Sequence, residues 1–320
     1  MKKHFKIAIQ MDPWNRVNPK TDSTYVIALE AQKRGYSLFS YVPDHLSLDQ
    51  GVVKATGSYF SLYPNKKKFY HLNRTKTVLL NDFDVVLVRQ DPPFNMHYIT
   101  ATYLLEQLSN KTLVLNNPKY IRDYPEKLSM FYFKNIVPST LISSNIDEIL
   151  AFHKKNKISI LKPLYGNGGE GIEKIDHNLI RSKQLIKKLL NHYQLPIVVQ
   201  KFIKDISKGD RRIILFDGEY AGSVARIPLK NSIKANFHAG GIAQKTGLVF
   251  RDKKICNILK PFLKKNGLFF TGIDVIGNYL TEINVTSPTG IQEINKLNNT
   301  AIEKIFWNKI EQKLKNRRGG

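Results

Sequence analysis

The pattern of predicted strands and helices changes part-way along the chain, and this change limits the folds available to it. FKIAIQ at 5–10 is typical of a strand, a helix capped near Asp22 runs to Gly35, and SLFSYV at 37–42 follows as a second strand. This order is typical of a parallel α/β unit. From residue 210 onward the pattern favours antiparallel hairpins about Asp217-Gly218 and Gly277-Asn278. The sequence therefore predicts an N-terminal parallel α/β domain followed by an α+β region.

Further elements complete this prediction. The 320 residues exceed the usual size of one hydrophobic core, so two or more subdomains with a ligand cleft between them are expected. The predicted elements up to residue 128 are a hairpin insertion at 51–63 and 69–80, a buried strand beginning with VVLV at 85, a helix at 95–108, a strand at 113–116, and a helix containing Glu126-Lys127-Leu128. They are followed by STLIS, a helix at 146–156, ISILKPL, a glycine-rich loop, another helix and IVVQKFI.

The formal charge of +24 raises the possibility of nucleic-acid binding, because lysines and arginines neutralise phosphates. The lysines are scattered in short groups without interleaved aromatic residues, which favours solvated faces. The single cysteine, Cys256, excludes an intramolecular disulfide and is predicted to be a half-buried apolar residue of a helix. The apolar run at the N-terminus breaks at Gln10 and Asp12, so we expect neither a signal peptide nor a membrane anchor, and a cytoplasmic location.

A lysine and a glycine-rich segment form the first candidate site. Lys162 ends a predicted strand and is followed by GNGGEG at 166–171. Glycines let backbone amides approach phosphate oxygens closely, and a nearby lysine adds positive charge. The segment matches neither a Walker motif nor a dinucleotide fingerprint, and a mobile hairpin tip explains it equally well.

The second candidate site contains Asp274, Glu282 and Asn284, whose oxygen atoms suit magnesium. The hairpin register decides whether they meet. A two-residue turn at Gly277-Asn278 pairs Asp274 with Thr281, whereas a three-residue loop pairs Asp274 with Glu282 and puts Asn284 on the same face. A polar solvent face is the alternative.

Basic residues form a third group, which comprises Lys127, Arg211, Arg212 and Arg226. Arg226 interrupts the apolar strand SVARIP, where a charge is costly without a partner. Arg89 follows a buried strand, at the sheet edge where α/β proteins bind ligands, and either a substrate carboxylate or a neighbouring acidic residue could be its partner. Residues 229–247 are predicted to be a loop and a candidate lid, with His238 solvated.

Taken in order, several motifs resemble the prokaryotic glutathione synthetase family over nearly the whole chain. They are MDPWNRVNPKTDST, LVRQDPPFNMHYITATYLLE, LVLNNPKYIRDYPEKL, ILKPLYGNGGEGI, DRRIILFDGEY and GLFFTGIDVIGNYLTEINVTSPTGIQEI. The most specific is TEINVTSPTGI together with RQDPPF. Glu170, Gln292 and LKNSIKANFHAGG depart from the commoner pattern of the family.

The resemblance implies an N-terminal α/β domain at 1–122 and an ATP-grasp fold, with a central lid-bearing subdomain at 123–200 and a C-terminal subdomain at 201–316. It implies catalytic roles for Arg212 and Arg226, and dipeptide binding near Arg89 and Ser287. Magnesium would be bound by Asp274, Glu282 and Asn284. ATP would be bound by Lys127, Lys162, Gly166, Asn167, Gly168, Gly169, Gln200, Lys201, Phe202 and Ile203.

The implied reaction joins γ-glutamylcysteine to glycine. ATP is a substrate, Mg²⁺ or Mn²⁺ the metal, and an acyl phosphate the intermediate. The family also implies a homo-oligomer, with no specific nucleic acid and no membrane as partner. The alternatives are another ATP-grasp carboxylate-amine ligase and a non-catalytic basic protein that binds nucleic acid.

Overall fold

The computed structural model describes residues 4–166, 168–230 and 232–318, and its strands form three sheets. The first sheet, in the order β3-β4-β2-β1-β7-β8, contains β1 (Lys6–Gln10), β2 (Ser37–Tyr41), β3 (Leu46–Asp49), β4 (Val52–Leu62), β7 (Val85–Val88) and β8 (Leu113–Leu115), with β5 (Tyr70–Leu72) and β6 (Lys76–Leu79) paired to β4. The strands β2, β1, β7 and β8 are parallel, which confirms the predicted parallel α/β domain.

The other two sheets are antiparallel. The second, in the order β11-β10-β12-β9, contains β9 (Thr140–Ser143), β10 (Ser159–Pro163), β11 (Glu173–Ile175) and β12 (Ile197–Lys201). The third, in the order β15-β14-β13-β16-β17, contains β13 (Asp210–Phe216), β14 (Glu219–Ile227), β15 (Ile242–Lys245), β16 (Phe270–Ile276) and β17 (Tyr279–Asn284).

The helices cover faces of these sheets and connect them. They are α1 (Ser23–Lys33), α2 (Met96–Glu106), α3 (Pro118–Asp123), α4 (Ile146–Asn156), α5 (Leu179–Tyr193), α6 (Phe250–Lys265), α7 (Ile291–Asn298) and α8 (Ile302–Arg318). The predicted cap of α1 is confirmed, since the Asp22 side chain accepts a hydrogen bond from the Tyr25 N–H at 2.6 Å. None of the described helices is long and apolar enough to cross a membrane.

The predicted helix at Glu126-Lys127-Leu128 is wrong. These residues form turns, and a short 3-10 helix, Ser129–Phe133, follows. Pro125 follows the end of α3, and the Leu128 and Ser129 N–H groups both bond to its carbonyl, which closes the turn.

One hydrophobic core joins the first and third sheets. It contains Ile7 and Ile27 of the first domain together with Phe216, Phe269 and Trp307. The Trp307 Nε1–H also donates to the Ile27 carbonyl at 2.8 Å. The second sheet has its own core, around Leu161, Ile186 and Val199. A separate core under the second sheet leaves it free to form one wall of a cleft against the other two.

Cys256 lies in α6 with 6% of its surface exposed, so it is more buried than predicted. Burial raises the pKa of its thiol to about 12. Because the thiolate is the reactive form, only on the order of 10⁻⁴ of the thiol is ionised at pH 8. We expect Ellman's reagent to leave the native protein unlabelled over minutes and to label one thiol in guanidinium chloride. Rapid labelling of the native protein would contradict the burial of Cys256.

Candidate active site

A cleft lies between the second sheet and the third sheet, with the end of β7 at its edge. It encloses about 1390 Å³ of empty space, including its open mouth. Most of the predicted site residues line it, but Arg89 does not. Those that do are Lys127, Lys162, Gly166, Gly168, Gly169, Gln200, Lys201, Phe202, Ile203, Arg212, Arg226, Asp274, Glu282, Asn284 and Ser287. Asn167 lies outside the described residues.

One end of the cleft is apolar. Gln200 ends the buried part of β12, and its amide nitrogen donates to the Thr140 hydroxyl at 3.1 Å, which fixes the side chain. The apolar side chains around it are Ile160, Ile172, Phe202, Ile203, Ile206 and Ile276. Such a slot next to polar backbone suits a flat heteroaromatic ring.

The glycine-rich segment lies between this apolar slot and the charged end. Gly168 and Gly169 adopt φ angles of +63° and +76°, a conformation that favours glycine. The Lys127 ammonium donates to the Gly166 carbonyl, and Lys162 projects from β10 into the same space. Burial lowers the pKa of Lys162, while Glu282, with its Oε1 at 3.8 Å from the Lys162 Nζ, opposes that shift. Two lysines therefore lie where a phosphate chain would follow the ring.

A β-bulge brings the acidic residues together. Ile276 pairs with Tyr279 and Val275 with Leu280, so the hairpin has the two-residue turn at Gly277-Asn278. One extra residue, Thr281, then shifts the register by one, and Asp274 pairs with Glu282. The two-residue turn is therefore right, but the Asp274–Thr281 pairing expected from it is wrong. The pairing expected from a three-residue loop is present without that loop.

A β-bulge also occurs in the neighbouring hairpin, formed by β13 and β14. Phe216 pairs with Glu219 and Leu215 with Tyr220, but Ile214 pairs with Gly222, so Ala221 is an extra residue. Asp210 consequently lies opposite Arg226 instead of Ala225. A one-residue shift moves a side chain to the other face of a sheet, so this bulge sets which face Arg226 occupies.

Asp210, Arg212, Arg226 and Asp274 form a buried network of four charges, each at most 7% exposed. The Arg226 guanidinium donates to both Asp210 oxygens at 2.6 and 2.7 Å, and its Nη2 lies 2.9 Å from Asp274 Oδ2. The Arg212 guanidinium donates to both Asp274 oxygens at 2.5 and 3.0 Å. Burial acts to raise the pKa of Asp274, but the two arginines outweigh it and hold that pKa well below its usual range.

The charged residues that line the cleft balance. There are six cationic groups (Lys127, Lys162, Lys201, Arg212, Arg226 and Lys234) and six carboxylates (Asp91, Glu126, Glu170, Asp210, Asp274 and Glu282). If every group is ionised, the net charge is zero. A polyanion that enters the cleft therefore requires either additional positive charge or the release of arginines from their carboxylate partners.

The predicted lid is only partly a loop. Residues 242–245 form β15, which pairs with β14, so the prediction of a continuous loop at 229–247 is wrong there. The first part lies over the cleft, where Ile233 to Phe237 line it. A Cβ added to Gly169 would lie 2.5 Å from the Asn236 amide nitrogen, so the lid and the glycine-rich segment are in close contact.

Comparison with known proteins decides the family. The profile described as "Prokaryotic glutathione synthetase, N-terminal domain" matches residues 5–122, and "Prokaryotic glutathione synthetase, ATP-grasp domain" matches residues 126–299. The chain belongs to the prokaryotic glutathione synthetase family. It is 44% identical to a glutathione synthetase from Mesorhizobium japonicum. The 313 aligned residues cover 97% of this chain and 99% of that protein. A glutathione synthetase from Agrobacterium fabrum is 42% identical over 98% of each chain.

The ATP-grasp fold of this glutathione synthetase family member is shared more widely. The crystal structure of D-cycloserine synthetase DcsG superposes with a TM-score of 0.67 at 12% identity, over 97% of this chain and 99% of that one. At this identity the likeness concerns the fold alone. The match to the ATP-grasp profile, together with this shared fold, confirms the predicted ATP-grasp architecture.

Several lining residues of this family member were missed by sequence reasoning. Asp210 adjoins two predicted arginines, but its role depends on the bulge in β14, which no residue pattern announces. Glu126 precedes Lys127 and accepts a hydrogen bond from the Thr286 hydroxyl at 2.8 Å. Burial raises the pKa of Glu126, against the attraction of Lys127. The sequence signal that could have identified Glu126 is its position next to Lys127, a predicted ATP-binding residue.

Arg211 shows the opposite outcome. It is adjacent to Arg212 in the sequence, but alternation along β13 puts it on the other face, where it donates to both Asp252 oxygens at 2.8 Å. Arg211 therefore lies in an ion pair with Asp252 and does not line the cleft.

Proposed function

We propose that the chain is an ATP-dependent ligase that joins γ-glutamylcysteine to glycine, forming glutathione, ADP and phosphate. The observation that supports this most strongly is a cleft with an apolar slot at one end and lysines and buried arginine–carboxylate pairs at the other, in a member of this family. An apolar slot leading to lysines fits a nucleoside triphosphate, and buried arginines fit a carboxylate that accepts a phosphoryl group.

In this proposal ATP spans the cleft. The adenine occupies the slot beside Gln200, Lys201, Phe202 and Ile203, all of which line the cleft. The phosphates lie beneath the glycine-rich segment, where Lys127 and Lys162 neutralise part of their charge.

The oxygen atoms at the charged end fit a hard divalent cation. The Asn284 amide nitrogen donates to the Gly272 carbonyl at 3.2 Å, which leaves the amide oxygen as an acceptor. The Glu282 side chain faces the cleft and is 22% exposed. Asp274 is held by two arginines, as described above. Magnesium or manganese needs only one or two carboxylates in addition to phosphate oxygens, and it supplies the positive charge that the balanced site lacks. We propose that Glu282, Asn284 and Asp274 hold the metal.

The first chemical step transfers the γ-phosphoryl group of ATP to the cysteinyl carboxylate of the dipeptide. Arg212 and Arg226 both line the cleft, beside the carboxylates of Asp210 and Asp274. Asp210 and Asp274 hold these guanidinium groups in fixed positions. Fixed charges at the place where phosphoryl charge develops lower the barrier without reorganisation.

In the second step the amine of glycine attacks the carbonyl carbon of the acyl phosphate, the amide forms and phosphate leaves. Water would hydrolyse the acyl phosphate, so the cleft must exclude it. The lid residues Ala235, Asn236 and Phe237 line the cleft, and Asn236 lies against Gly169 of the glycine-rich segment, which is consistent with this role.

The test is phosphate release from ATP and magnesium with γ-glutamylcysteine, with and without glycine, followed by mass detection of the product. We expect glycine-dependent phosphate release that matches glutathione formation mole for mole. Stimulation by a different carboxylate and amine, with none from this pair, would make the chain another ATP-grasp ligase. The homo-oligomeric state and the cytoplasmic location stay predictions.

A further inference from the structure

The segment from Thr286 to Gln292, which we call the junction loop, follows β17 and includes the first two residues of α7. Its residues Thr286 to Thr289 line the cleft. On the cleft side, the Arg212 Nη1–H donates to the Thr289 carbonyl at 3.2 Å, so the loop is tied to a proposed catalytic residue. The position of this loop therefore affects both the shape of the cleft and the arginine beside the reacting groups.

The other side of the junction loop is bound by the N-terminal domain. The Ile291 N–H donates to the Ser23 hydroxyl at 3.3 Å. The Gln292 amide nitrogen donates to the carbonyls of Asp22 at 2.7 Å and Pro19 at 3.1 Å. Gln292, which departs from the family pattern, therefore binds the junction loop to the N-terminal domain at the end of the loop that is remote from the cleft.

Arg89 anchors the end of the junction loop that borders the cleft. Its Nε–H donates to the Thr24 hydroxyl at 3.0 Å and its Nη2–H to the Pro288 carbonyl at 3.0 Å. Its own carbonyl accepts from the Ser287 hydroxyl at 3.1 Å. The guanidinium lies over the Phe270 ring, 4.7 Å from the centroid. One arginine therefore joins α1, β7, β16 and the junction loop.

We propose that Arg89 is a positioning residue, which acts on the dipeptide by holding the junction loop and does not bind a substrate carboxylate itself. The inference rests on the proposed function and replaces the direct role that the resemblance implies for Arg89. Ser287 lines the cleft, whereas Arg89 is 5% exposed and lies behind it.

The rival explanation uses the remaining nitrogen of Arg89. Its Nη1 is buried and has no hydrogen-bond partner among the described residues. Because this nitrogen is buried, a carboxylate would reach it only if the groups that cover it move aside, while the Nη2 bond to the Pro288 carbonyl could stay in place. The two explanations predict the same loss with the natural dipeptide, so the experiment must vary the substrate as well as the enzyme.

The test compares Arg89→Met with the wild type on two substrates, γ-glutamylcysteine and 4-aminobutyrylcysteine, which lacks the glutamyl carboxylate. Methionine keeps the apolar contact with Phe270 and removes the donors. We expect kcat/KM for γ-glutamylcysteine to fall by about 10- to 100-fold, the loss typical of a hydrogen bond from a charged group. We expect the same factor for 4-aminobutyrylcysteine, with KM for ATP changed less than twofold. If the variant slows only the reaction of γ-glutamylcysteine, Arg89 binds the carboxylate and the proposal is overturned.

A measurement without substrate provides an independent readout. Hydrogen exchange of the amides at 286–292 should be faster in Arg89→Met than in the wild type, because the loop has lost an anchor. Unchanged exchange there would also overturn the proposal. Thr24→Val, which removes the Nε partner with little change of shape, should give a smaller loss that is equal for both substrates, and it replaces Arg89→Met if that variant does not fold.

Arg122→Met is the matched control. Arg122 belongs to the same domain, stacks on Tyr103 at 4.0 Å and donates to Glu106 at 2.8 Å, away from the cleft. Its kinetics on both substrates should match those of the wild type. If the wild type itself forms no glutathione, the proposed function fails and the kinetic comparison does not apply, while the exchange measurement still tests the anchoring of the loop.

Discussion

Glu282→Gln is expected to lower kcat by on the order of 100-fold or more while leaving the fold intact. Glutamine preserves the size of the side chain and one oxygen acceptor but removes the negative charge. Glu282 pairs with Asp274 across the β16–β17 hairpin, and its nearest cation is Lys162 at 3.8 Å. The contact is long for an ion pair, but Lys162 is buried, so the loss of its countercharge should lower the melting temperature without unfolding the protein.

Turnover and metal affinity test this expectation together. Initial rates give kcat, and titration of Mn²⁺ followed by electron paramagnetic resonance, in the presence of a non-hydrolysable ATP analogue, gives metal affinity. Both should fall in Glu282→Gln. Glu219→Gln, in the same sheet but outside the cleft, is the control that should keep wild-type kcat, although Glu219 pairs with Lys260, Lys264 and Lys309. Wild-type turnover and metal affinity in Glu282→Gln would remove this residue from the proposed metal set.

The sequence predicted most of the fold because its signals were local. The cap at Asp22, the strand VVLV and the turns at Asp217-Gly218 and Gly277-Asn278 each depend on residues next to one another, and the structure confirms them. The helix at Glu126 failed for a local reason as well, since Pro125 favours a turn. Propensity alone did not distinguish a continuing helix from that turn.

The candidate site was less predictable because it depends on two bulges. In each hairpin the turn fixes the pairs nearest to it, and an extra residue, Ala221 or Thr281, then shifts the rest by one. Without these shifts Asp210 would face Ala225, and Asp274 would face Thr281. No side-chain pattern marks either bulge, because the extra residue is accommodated by the backbone. The residue types of the site were therefore predictable, whereas their pairing was not.

Arg226→Lys is expected to lower kcat by on the order of 100-fold with a moderate loss of stability. Lysine retains a positive charge between Asp210 and Asp274, so neither carboxylate is left buried without a countercharge. It cannot reproduce the fork that binds both Asp210 oxygens and Asp274 together, so the charge facing the substrate loses its fixed position. Arg226→Ala would confuse the two effects, because it would leave Asp210 unpaired and destabilise the fold.

Arg211→Lys supplies the comparison that separates catalysis from stability. Arg211 also forms a two-point ion pair with a buried carboxylate, Asp252, but on the opposite face of the same sheet. Thermal unfolding of the two lysine variants should show similar losses, because each replaces one forked pair with a point charge. Single-turnover formation of the acyl phosphate should be slow only in Arg226→Lys. If both variants lose stability and neither loses rate, the two arginines serve the same structural purpose, and the assignment of Arg226 to catalysis is wrong.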